Sequence, residues 1–252
     1  MKIPTIRGLI DRRLLVNYRV DADVLASLLP PPFRPKLVDG MGMVGICLIR
    51  LKSVRPAWLP AWAGVSSENA AHRAAVQWDE RGETREGVYI RRRDTDSRLN
   101  TFGGGRLFPG IHHHARFAVS ETATHFEVAL RSGDGETDVE VRGHLADALP
   151  KSSIFASLAA ASAFFQAGSV GYSTTANKSR YDGLELRCDT WAVEPLAVDH
   201  VRSSYFGDAT IFPHGSIEFD NALLMRGVEH CWQGLPDLCC DAASPVAAAM
   251  PA

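Results

Sequence analysis

Apolar positions come in short runs along this chain, broken at regular intervals by Gly, Pro, Asp and Ser. Residues 12–20 (Arg12-Arg13-Leu14-Leu15-Val16-Asn17-Tyr18-Arg19-Val20) read as a strand. Asp21 or Asp23 can cap a short helix over residues 24–29, which Pro30-Pro31-Pro32 ends. Residues 43–54 are apolar and β-rich, as in a buried strand. Trp58 and Trp62 lie in a proline-bounded loop, residues 56–64, expected to cover the core. Strand character over 70–78 and 87–94, joined through Glu80-Arg81-Gly82-Glu83, predicts a hairpin. A strand-like run follows at 115–119. Runs at 124–130 and 138–145 flank Ser132-Gly133-Asp134-Gly135 and predict a second hairpin. One long helix is expected over 154–167, capped by Ser152 or Ser153 and stopped at Gly168. Its Phe155, Leu158, Phe164 and Phe165 should pack on a sheet. Residues 170–175, 184–193 and 216–225 read as further strands. The pattern predicts one β-rich α+β domain over residues 1–238, with an Ala/Pro-rich disordered tail at 239–252. Closing such a sheet into a barrel would remove its exposed edges.

Composition narrows the class. The 252 residues are 46% hydrophobic and 22% charged, with a formal net charge of -2, which offers no basic face for nucleic acid. No apolar run is long enough for a membrane helix, and the first residues have no signal-peptide core. Cys47, Cys188, Cys231, Cys239 and Cys240 have no paired spacing, the pattern of a reducing compartment. A cytoplasmic protein is expected, with no nucleic-acid or membrane partner, a small-molecule ligand, and a homodimer as the commonest assembly.

Candidate chemistry concentrates between Tyr89 and His114. Arg91, Arg92 and Arg93 should alternate faces, so that an inward Arg92 could clamp a carboxylate or enolate. His112 and His114 share a face on a strand, with His113 opposed. Acid/base use of one histidine is favoured over a metal site, because no third ligand stands at a telling spacing. Gly103-Gly104-Gly105 lacks the context of a phosphate loop, so neither nucleotide nor other cofactor is expected. Asp220 could add a carboxylate to a pocket or cap a turn.

Tyr18-Arg19-Val20-Asp21-Ala22-Asp23-Val24-Leu25, followed by Leu29-Pro30-Pro31-Pro32-Phe33, resembles the opening of acetoacetate decarboxylase-like proteins. Ser67-Glu68-Asn69, Gly87-Val88-Tyr89 with Arg92, Arg106-Leu107-Phe108, Phe212-Pro213-His214-Gly215-Ser216 and Asp220-Asn221-Ala222-Leu223-Leu224-Met225 are similar to its bacterial YqjF-like branch, a domain of unknown function. The resemblance implies a cone-shaped antiparallel β-barrel with one long and one or more short flanking helices, enclosing a pocket for a small carbonyl or carboxylate compound. It also implies a Schiff-base lysine pair on the segment matching residues 107–114, yet that segment reads Leu-Phe-Pro-Gly-Ile-His-His-His. Without an amine there is no imine, so acetoacetate decarboxylation is not expected. Glu68 corresponds to a pocket glutamate of that family, and Arg12 or Arg13 to its pocket arginine. The expected site is therefore Glu68, Arg92, His112 and His114 for chemistry, with Arg106, Arg12, Lys178 and Asp220 for binding. If imine chemistry survives, Lys52 or Lys178 must carry it. Alternatives are a non-catalytic binding barrel and a structural protein whose polar stretch is an interface.

Overall fold

A computed structural model describes residues 5–98, 101, 110–177 and 180–239. Strand β1 (Ile6–Asp21) leads into helix α1 (Ala22–Leu28), capped by the Asp21 carboxylate, which accepts from the backbone N–H groups of Asp23 and Val24. Two short strands come next, β2 (Arg34–Pro35) and β3 (Leu37–Val38), then the long β4 (Met41–Pro56) and β5 (Val65–Glu80). A two-residue turn at Arg81-Gly82, both at positive φ (53° and 82°), folds β5 back into β6 (Glu83–Thr95). That is the turn geometry matched to strand twist, and Gly takes the second position without strain. Beyond it lie β7 (His112–Glu121), β8 (His125–Ser132) and β9 (Asp138–Leu145), then α2 (Leu158–Ala167). The chain continues through β10 (Val170–Thr174), β11 (Arg180–Cys188), β12 (Glu194–Ser203), β13 (Ile217–Gly234) and β14 (Leu238–Cys239).

Strand pairing traces two closed circuits. One ring runs β6-β7-β8-β9-β12-β13-β1-β4-β5 and closes where β5 pairs with β6. The other runs β11-β10-β6-β5-β4-β1-β13 and closes where β11 pairs with β13. Both rings use β13, β1, β4, β5 and β6 as a common wall. The fork occurs along single strands: β13 meets β12 at residues 222–224 and β11 at residues 230–234. β6 likewise meets β10 at residues 88–90 and β7 at residues 93–95.

Because side chains alternate across a strand, the wall has two interiors. Leu14, Val16, Ile46 and Leu48 join Val128, Leu130, Val139 and Val141 in the large core of the nine-strand ring. Leu15, Met43, Cys47, Ala75 and Leu223 point the other way and meet Phe155, Ala161 and Phe165, where α2 packs.

Three expectations are revised. Trp58 and Trp62 are 76% and 87% exposed, so their loop does not cover the core. Helix α2 starts at Leu158 with Ser157 as its cap, because Ser153 and the Ile154 N–H are already bound to the Asp220 carboxylate. Strand β12 falls where the apolar pattern predicts none. The glycine run 103–105 and the C-terminal stretch from Cys240 lie outside the described residues.

Candidate functional site

The side of the wall facing the seven-strand ring encloses two adjoining spaces that share Ile49, Ala71, Arg93, Leu184 and Trp232. They enclose about 60 and 90 Å³ of space that a water-sized sphere can occupy, room for a few waters or for the atoms of a very small molecule. Most of the lining is apolar. Against it stand Arg13 of β1, Cys47 of β4, Arg73 of β5 and Arg93 of β6.

Strand register explains the cluster. Cys47 lies between Leu15 on β1 and Ala71 on β5. Arg13 and Arg73 stand two residues along those strands, on the same face, as diagonal neighbours within reach of a long side chain. Arg73 Nε donates to Cys47 Sγ at 3.0 Å, and Arg13 Nη2 approaches the same sulfur at 3.6 Å. Burial pushes the Cys47 thiol up, but the charges of Arg73 and Arg13 outweigh it and bring it down to about 7. Arg93 donates from Nε to Ser173 Oγ at 3.1 Å, and burial lowers its guanidinium to about 10 despite the Cys47 and Asp182 charges. Aromatic rings flank the group: Arg73 lies 4.9 Å from the Phe165 ring centre and Arg13 5.8 Å from that of Trp191. Among the described residues, none of the three cavity arginines is in an ion pair with a carboxylate.

Arg73 also begins a directed chain of hydrogen bonds through the wall. Its Nη2 donates to Asn17 Oδ1 (2.5 Å), Asn17 Nδ2 donates to Asn221 Oδ1 (2.8 Å), and Asn221 Nδ2 donates to Asp220 Oδ1 (2.6 Å). Asp220 is fully buried and also accepts from Arg19, Ser153 Oγ and the Ile154 N–H. A cation at the cavity is thus joined to a carboxylate that holds Ser153 and Ile154, ahead of α2.

The residues expected from sequence are distributed over several places. His112 lines the cavity; burial, reinforced by Arg93, lowers its imidazole to about 3, so it is neutral near neutral pH. Glu68 and Arg12 do meet, but on the opposite face of the wall. There Arg12 is paired with Glu68, with Glu121 3.5 Å away, and Arg50 Nε donates to Glu68 at 2.6 Å. Arg12 is only 2% exposed while Glu68, Arg50 and Glu121 reach solvent, so this is a partly buried, self-neutralised network. Of the two arginines open at this position, Arg13 is the one in the cavity.

Arg92 faces away as well, paired with Asp94, Asp134 and Glu136. A bulge between His72 and Arg73 in the β5–β6 register breaks the expected alternation: His72 pairs with Arg92 but Arg73 with Ile90. Arg91 and Arg92 both act on His72, leaving Arg93 for the cavity. Asp94 borders the cavity, but its carboxyl is held by Arg92 on the far face and is pushed up by burial against that pull. His113 sits 3.0 Å from Asp134, and His114 borders an outer groove with Arg116 and Leu130. Lys52 is paired with Asp11 and 48% exposed. Arg106 and Lys178 lie outside the described residues. As site residues, Cys47 and Arg73 are not reached from sequence, and Arg93 only as one of three consecutive arginines; the available signal is a charged or thiol side chain on the apolar parity of a buried strand.

Solved structures share this architecture. An acetoacetate decarboxylase from Legionella pneumophila superposes with a TM-score of 0.57 at 12% identity, over 93% of this chain and 88% of that one. An acetoacetate decarboxylase-like enzyme from Sphingomonas wittichii RW1 gives 0.55 at 12% identity, over 94% and 95%. The enduracididine biosynthesis enzyme MppR, complexed with pyruvate, gives 0.56 at 11% identity, over 97% and 93%. No curated protein matches the chain in sequence. The two-ring wall is therefore the acetoacetate decarboxylase-like fold. Within that class, residues 10–224 match the DUF2071 model, described as an uncharacterized conserved protein, and the chain belongs to that family.

Proposed function

We propose that the cavity of the seven-strand ring receives a small organic anion, a carboxylate bearing a carbonyl group, and handles it without a lysine Schiff base. One observation carries the reading: Arg13, Arg73 and Arg93 face a largely apolar space with no carboxylate partner among the described residues. Buried like charges are costly unless an anion offsets them, and guanidinium forks match carboxylate oxygens. The Cys47 sulfur can neutralise at most one of the three. MppR complexed with pyruvate supports a ligand of this size and charge. The absence of lysine from residues 107–114 and the pairing of Lys52 with Asp11 support a mechanism without an imine. Neutral His112, which lines the cavity, is then the group placed for proton transfer there.

The test is thermal unfolding with pyruvate, acetoacetate and longer 2-oxo acids, with acetone as the uncharged control. At about 100 times Kd a ligand adds about 2.7 kcal/mol, which for a chain of this size raises Tm by roughly 5–10 °C. The oxo acids should do this, acetone should not, and Arg93→Gln should remove the effect. Borohydride treatment with the same compounds should leave every lysine unmodified. A lysine adduct, or no shift with any carboxylate, overturns the proposal.

A further inference from the structure

A buried cysteine among apolar neighbours is inert because its thiol stays protonated. Cys47 is placed differently. Its sulfur lines the cavity, two guanidiniums converge on it from the strands on either side, and Arg93 shares the space. Arg73 is itself held by Asn17, so its Nε points at the sulfur from a fixed position. Leu15, Ala71 and Phe165 exclude competing polar groups on that side. An anion that brings its carboxylate to Arg13 or Arg93 places its remaining atoms beside Cys47.

We infer that Cys47 is the nucleophile of this cavity, its sulfur adding to the carbonyl carbon of a bound small oxo acid. The inference rests on the carboxylate reading above. The thiol ionises to solvent; the thiolate forms a carbon–sulfur bond while the carbonyl π pair moves onto oxygen; that oxygen takes a proton from water. The product is a hemithioketal containing every atom of thiol and ketone, with no oxidant or reductant consumed. The guanidiniums stabilise the sulfur anion before attack and the oxyanion after it. The lowered thiol supports this, since more of Cys47 is ionised near neutral pH than of an ordinary buried cysteine.

The first test compares iodoacetate with iodoacetamide on the intact protein, with the modified cysteines mapped by peptide mass. The two reagents carry the same electrophilic carbon and differ in charge. Cys47 should react with iodoacetate faster by about tenfold, a preference that a cationic cavity imposes, and pyruvate should suppress the reaction. The second follows pyruvate labelled at its ketone carbon by NMR. Besides the gem-diol signal that free pyruvate shows in water, a second tetrahedral-carbon signal should appear with the wild type and be missing in Cys47→Ser and in Cys47→Ala, at least one of which should still show a pyruvate-induced rise in Tm. If pyruvate raises Tm but Cys47 resists both reagents, or the second tetrahedral signal, distinct from the hydrate, survives in a folded Cys47 variant, the nucleophile assignment fails while the anion site stands. If pyruvate neither binds nor protects, both fail.

Discussion

Replacing Asn17 with Leu removes the middle of the Arg73–Asn17–Asn221–Asp220 chain without changing side-chain size appreciably. Two fully buried groups then lose partners: the Nη2 of Arg73, which is charged, and the Oδ1 of Asn221. Each orphaned buried polar group costs about 1–3 kcal/mol, and a charged one more, so Asn17→Leu should cost roughly 3–5 kcal/mol. Asn221→Leu is milder. Asn17 Nδ2 keeps the Leu15 carbonyl at 3.3 Å, and Asp220 Oδ1 keeps Ser153 at 2.7 Å; about 1–2 kcal/mol is expected. In the double variant the second change removes a group already orphaned by the first, so the pair should cost little more than Asn17→Leu alone. The coupling should be about 1–2 kcal/mol, within the range for residues in one network. Urea denaturation of the four proteins, with m values held equal, measures this cycle. Equal costs for the single variants, or strict additivity, would refute a directed chain.

Glu68→Gln should destabilise the fold by roughly 3–5 kcal/mol because it strips the buried Arg12 of its main partner. It should leave pyruvate affinity unchanged, since Glu68 faces away from the cavity; a large loss of affinity would contradict the two-compartment assignment. Burial lowers His72 and His112 to about 3 and His230 to about 4, from a usual 6.5. The unfolded chain therefore takes up protons that the folded one refuses. The stability these groups provide is complete above pH 6.5 and declines as pH falls toward 3, by about 1.4 kcal/mol per pH unit for each. His72→Phe should reduce the slope of ΔG against pH between 6 and 4 by about 1.4 kcal/mol per pH unit, read from denaturant titrations; an unchanged slope would mean that His72 is protonated in the fold. Trp58→Ala and Trp62→Ala should each change stability by less than about 0.5 kcal/mol, as the exposed indoles imply, and circular-dichroism melts suffice to check it.

Strand periodicity and turn chemistry made much of the architecture legible. The β5–β6 and β8–β9 hairpins lie at the Arg81-Gly82 and Ser132–Gly135 turns because few other geometries suit those residues. β12 escaped because Pro195, Asp199, His200 and Arg202 interrupt its apolar pattern and a register shift divides it between Val198 and His200. The site was harder to read for a similar reason. Alternation tells which residues share a face, but not which of two interiors that face lines, and the bulge at Arg91 reverses the parity of the residues beyond it. Arg12 and Glu68 carried the family resemblance yet neutralise each other on the far side. Arg73 and Cys47 became a pair only through the joint register of β1, β4 and β5, which no local pattern encodes.

A wall with two interiors also constrains how relatives of this chain can diverge in length. Inserting one residue into β1 before Arg12 would move Arg12 into the position of Arg13 beside Cys47 and Arg13 into that of Leu14, on the face of the Glu68 network. Leu14, Leu15 and Val16 would swap interiors with them, so the same event would disturb two cores at once. Length changes in related chains should therefore collect in the connections and in strands that serve a single ring. The segments matching β1, β4 and β5 should align without gaps, giving a fixed frame in which to ask whether the positions of Cys47, Arg73 and Arg93 vary together.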